Sequence, residues 1–89
     1  MKWQIESKGR FYDANEGTVV YFDSHSGDTH LLSDFAAYVL QRFDDRPLSI
    51  DDLTDQISPI IEPDQLPELK VTITGILAEL VTLEILKRE

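Results

Sequence analysis

Trp3 and Ile5 alternate with Lys2, Gln4 and Glu6, a period of two that predicts a half-buried first strand interrupted at Lys8-Gly9. From Thr18 to Phe22 the run Thr-Val-Val-Tyr-Phe is β-branched or aromatic throughout. An apolar stretch resumes over Thr29 to Leu32 after the polar break Asp23-Ser-His-Ser-Gly-Asp28. These two runs predict a hairpin. Gly27 suits the left-handed backbone such a loop needs, and Asp23, Ser24 and Ser26 can bond neighbouring backbone groups.

The pattern changes period at Ser33. Ser33 and Asp34 supply an N-cap and a first-turn acid, and Phe35, Ala36, Val39, Leu40 and Phe43 then share one helical face, so a first helix is expected over about Asp34 to Phe43. Arg46-Pro47 breaks it. Ser49, with Asp52 three residues on, approximates a capping box, and Ile50, Leu53 and Ile57 form the buried stripe of a short second helix that ends by Pro59. Pro59, Pro63 and Pro67 at four-residue spacing require a connecting loop or a helix start. Beyond them Leu69, Ile73, Ile76, Leu77, Leu80 and Leu83 recur every three or four residues and predict a long amphipathic third helix up to about Leu83, with room for a short final strand behind it.

Three strands followed by three helices define an α+β class. The expectation is a three-stranded antiparallel sheet followed by a three-helix winged helix-turn-helix, in one domain over residues 1–89. That shape does not by itself say what is bound.

Composition narrows the possibilities. Hydrophobic residues are 42% and charged residues 28%, the balance of a folded domain rather than a disordered tail. The formal charge is -9, and both halves of the chain are acidic, which argues against nucleic acid and anionic membrane surfaces as partners. There is no cysteine, hence no disulfide framework and no thiolate metal site. The first residues, MKWQIESKGR, lack the apolar stretch of a signal peptide, and no apolar run approaches a membrane span, so the cytoplasm is the expected location.

Candidate chemistry is sparse. His25 and His30 flank Asp28, but two histidines five apart need further ligands, and no third histidine or cysteine exists. Ser24, Ser26, His25, His30, Asp23 and Asp28 contain the residue types of a hydrolytic triad, yet turn chemistry accounts for the same residues. Gly9, Gly17, Gly27 and Gly75 are too scattered for a phosphate loop. No catalytic residue, metal or cofactor is therefore expected. From Asp44 to Glu68 the acids Asp44, Asp45, Asp51, Asp52, Asp55, Glu62, Asp64 and Glu68 are opposed only by Arg46, a solvated face that could also steer a basic peptide. Between Lys70 and Leu83 the third helix carries only Lys70 and Glu79 as charges, with Thr72, Thr74 and Thr82, a surface better suited to a peptide than to a duplex.

The block Val19-Val-Tyr-Phe-Asp-Ser-His-Ser-Gly-Asp-Thr-His-Leu-Leu-Ser33, with Trp3 upstream and Ala36-Ala-Tyr-Val-Leu40 downstream, resembles the PqqD-like peptide chaperones. More narrowly, it is similar to the subgroup found with HPr-kinase-related proteins. Pro47-Leu48-Ser49 and the stretch from Leu80 to Leu86 extend the resemblance over nearly the whole chain. Glu84 departs from it, because the family often has glycine where the third helix ends.

The resemblance implies a recognition element that holds the leader of a ribosomally made precursor peptide and presents it to a modifying enzyme, commonly a radical-SAM protein or here a kinase-related one. It also implies that the leader adds as a strand beside the third strand, over a groove floored by the third helix. Mapped onto this chain, the edge is Thr29, His30, Leu31, Leu32 and Ser33, and the groove wall is Val71, Thr72, Gly75, Ile76 and Glu79. For Val71 and Ile76, packing into the core is an equal expectation. Two other functions stay open, a transcription-associated winged helix acting on DNA or protein and a small metal-dependent or hydrolytic enzyme built on His25, Asp28 and His30, and the open edge could also pair two copies into a homodimer.

Overall fold

The computed structural model describes residues 1–6, 9–24, 26–43 and 46–88, the side chains of residues 14 and 15 excepted. Strand β1 (Trp3–Ile5) follows the alternation at the N-terminus, and β3 (Thr18–Asp23) and β4 (Thr29–Ser33) form the expected hairpin. Gly27 has φ 80° in the connecting loop, and Asp23, 5% exposed, accepts backbone N–H bonds from Gly27 on its carbonyl and from Ser26 on its carboxylate.

The sheet arrangement corrects the expected one. Strand β2 (Gly9–Asn15) lies ahead of the hairpin, so the three-stranded antiparallel sheet runs β2-β3-β4, and β1 is not part of it. Instead β1 pairs antiparallel with the C-terminal strand β5 (Leu86–Arg88) in a separate two-stranded sheet, where Trp3 also exchanges backbone bonds of 2.8 and 2.9 Å with Leu48. The local pattern hides β2: Phe11 and Tyr12 are adjacent rather than alternating, and Gly, Asp and Asn are poor strand formers. Its pairing with β3 compensates. The Phe11 and Tyr21 rings pack at a 60° tilt with centroids 5.0 Å apart, and a Cβ on Gly9 would strike the Phe22 carbonyl oxygen and the Tyr21 ring. Burial, then the nearby Asp23, raises the Tyr21 pKa above its ordinary 10.0, against a lowering contribution from the Gly9 backbone hydrogen bond.

Ser33 ends β4 and caps α1 (Asp34–Gln41), its hydroxyl accepting the Ala36 N–H at 3.1 Å. Helix α1 lays Ala36, Val39 and Leu40 on the inner face of the sheet, against Tyr21 and Leu32. Ser49 and Asp52 cap α2 (Ile50–Ile57) reciprocally, at 3.1 and 3.0 Å. Hydrogen bonding from Ser49, its backbone N–H first and then its side chain, holds the Asp52 carboxyl below its ordinary pKa of 3.8. The proline segment forms two 3-10 turns, Ser58–Ile60 and Pro63–Gln65, and α3 (Leu66–Thr82) starts with Pro67 in its first turn, where a missing N–H costs nothing.

Helix α3 buries Leu69, Ile73, Leu77 and Leu80 and ends in a Schellman motif. Ile85 N–H bonds to the Leu80 carbonyl at 2.9 Å, Glu84 N–H bonds to the Val81 carbonyl at 3.0 Å, and Glu84 takes the left-handed φ of 63°. That is the position where the family resemblance leads one to expect glycine. The turn sends buried Ile85 and Leu86 back to β1, closing a core that also holds Phe43, Leu48, Leu53 and Ile57. No helix among the described residues is long and apolar enough to cross a membrane.

Candidate functional site

The three-stranded sheet has two outer strands, and they differ in kind. Strand β2 carries Arg10 and Asp13 and is bulged between Asp13 and Asn15, features that discourage pairing with another chain. Strand β4 holds Thr-His-Leu-Leu-Ser without a formal charge, in unbroken register with β3 from Thr18↔Ser33 to Phe22↔Thr29. Among the described residues β3 is its sole strand partner, and the tail strand β5 lies on β1 instead.

The register fixes which backbone groups point where. Asp34 N–H reaches the Gly17 carbonyl and Asp23 N–H the Asp28 carbonyl, so the hydrogen-bonded pairs with β3 are Val19↔Leu32 and Tyr21↔His30. Thr29 and Leu31 therefore direct their N–H and C=O groups away from β3, and Ser33 directs its N–H the same way.

Side chains alternate across this edge. Leu32 is buried and His30 half-buried on the inner face, whereas Leu31 is 69% exposed on the outer face. Leu31 stands directly opposite Val20, and Val20 opposite Tyr12, which is 50% exposed, so an apolar row crosses the outer face and stops at the open edge.

Where β4 runs into α1, Phe35, Ile61, Gln65, Glu68, Leu69 and Thr72 line a cavity of about 330 Å³. Its walls are the first turn of α1, the proline segment and the first half of α3. Of the proposed groove wall, Thr72 lines this cavity and Ile76 packs half-buried against the core beside it. Gly75 and Glu79 are exposed farther along α3, and Gly75 has nothing within 4 Å of where a Cβ would stand. Val71 is 74% exposed on the side of α3 opposite Leu69, Ile73 and Leu77, away from the cavity. Sequence reasoning missed Phe35 and Leu69 as site residues because their periodicity reads as core. Glu68 was visible only as one acid among many.

Other candidate chemistry gains nothing. Among the described residues no three histidine, aspartate or glutamate side chains gather as a metal site, and His25, Asp44 and Asp45 lie outside those residues. On α3, Lys70 pairs with Asp51 of α2 at 3.0 Å, and the Thr74 and Thr82 hydroxyls donate to the carbonyls of Lys70 and Ala78. Comparison with protein-family models, curated proteins and solved structures gives no match.

Proposed function

We propose that the protein is a non-catalytic peptide chaperone that takes the leader of a ribosomally made precursor as an added strand on β4 and presents it to a modifying enzyme. The observation that carries this reading is the uncharged, unbulged edge of β4, with the backbone groups of Thr29, Leu31 and Ser33 turned outward beside the Phe35–Leu69–Thr72 cavity. Outward N–H and C=O groups supply sequence-tolerant affinity, and the cavity supplies selection of a side chain. In this reading α1, α2 and α3 with the β5 tail act as a winged helix-turn-helix turned to peptide recognition in the cytoplasm. A DNA-binding role gains no support from α3, whose Lys70 is engaged with Asp51.

The test is a titration of the labelled chain with leader peptides encoded beside its gene, followed by amide chemical shifts. Shifts centred on Thr29–Ser33 and on Phe35, Glu68 and Thr72 are expected. Shifts confined to other surfaces, or no binding of any leader, would contradict the proposal.

A further inference from the structure

Resting on the reading of β4 as a peptide acceptor, we propose that acids at the two ends of this edge choose its guest: a strand with lysine or arginine near each end and an apolar residue opposite Leu31. The same acids keep a second copy of the chain from pairing there.

Leu31 marks the centre of the edge. Its N–H and C=O point outward, so a guest residue directly opposite it exchanges both bonds and projects its side chain onto the same outer face. There an apolar side chain extends the row Tyr12, Val20, Leu31 by one position and covers a leucine that is otherwise 69% exposed.

The ends of the edge are acidic. Asp28 precedes β4 and Asp34 follows it, both exposed. Glu68 stands on the cavity beside Phe35, close to the Asp34 end. From Asp28 to Asp34 is about 20 Å of extended chain, so one guest strand of six or seven residues meets an acid at each end. In a chain of charge -9, a cationic guest is attracted from a distance as well.

A second copy fares differently. Antiparallel self-pairing with the two Leu31 side chains opposite each other is the register that covers both. It also sets Asp28 against Asp34 of the other copy, twice over, and brings two chains of charge -9 together.

The probes are synthetic strand-forming peptides of about nine residues, alternating threonine and valine around a central leucine, one ending in lysines and one in glutamates, plus a lysine-ended form with serine at the centre. Binding to the full chain is read by amide shifts at Thr29–Ser33, alongside the operon-encoded leaders. The lysine-ended peptide should bind about tenfold more tightly than the glutamate-ended one at low salt, with the gap narrowing as salt rises. The central serine should cost about threefold, and Asp28→Asn should shrink the lysine preference.

Equal affinity of lysine- and glutamate-ended peptides at β4 would overturn the charge selection and leave strand addition standing. Equal affinity of the leucine and serine centres would overturn the role of Leu31. If neither the probes nor the leaders move the β4 amides, the acceptor reading falls with the inference. A dimer of the unaltered chain through β4 at low salt would overturn the barrier to self-pairing; Asp28→Asn is expected to raise self-association.

Discussion

Glu84 is a residue held where its type is disfavoured. Its φ of 63° completes the Schellman motif that turns the chain from α3 toward β5, and an L-residue with a Cβ pays for that conformation where glycine does not. Glu84→Gly is expected to stabilise the fold by about 0.5–1 kcal/mol, visible as a higher urea midpoint at unchanged slope. Gly9 is the reverse case. Any side chain there meets the Phe22 carbonyl and the Tyr21 ring, so Gly9→Ala should lower the midpoint and disturb the β2–β3 register.

Leu31 and Leu32 are neighbours on opposite faces of β4. Leu32→Ala removes a side chain packed in the core and should cost about 2–4 kcal/mol, whereas Leu31→Ser should change stability by under about 1 kcal/mol while weakening peptide binding. Paired denaturation and binding measurements separate the two. Asp52 contributes through protonation: its folded pKa lies below the unfolded 3.8, so its stabilisation is present above that value and is lost as pH falls through the folded pKa. An acid titration of stability with Asp52→Asn alongside should show a shallower loss for the variant below about pH 4.

At the scale of elements, the parts written locally were legible. Ser33 and the Ser49–Asp52 box mark helix starts through side chains that bond the first-turn N–H groups, and both caps form there in the structure. Removing one hydroxyl by Ser49→Ala is expected to cost about 1 kcal/mol, measured by denaturant unfolding. The hairpin of β3 and β4 was equally readable, down to the positive φ of Gly27. Strand β2 was not, because its stability comes from contacts with Tyr21 rather than from its own alternation. The β1–β5 pair joins opposite ends of the chain, a long-range choice that no local pattern records. The candidate site divides the same way: its edge was readable as a strand, while Val71, 74% exposed, shows that an apolar residue on a helix need not pack into the core.

Across the whole molecule, pairing with β1 holds Leu86–Arg88 away from β4, and among the described residues β4 is the unbulged, uncharged border of the three-stranded sheet. The decisive measurement is amide hydrogen exchange along β4, residue by residue, with and without a bound leader. In the free chain Thr29 and Leu31 should exchange rapidly while His30 and Leu32, bonded to β3, are protected; leader binding should slow Leu31 by about a hundredfold or more. A Leu31 amide already protected in the free monomer, or one that stays fast with the leader bound, would contradict strand addition at this edge.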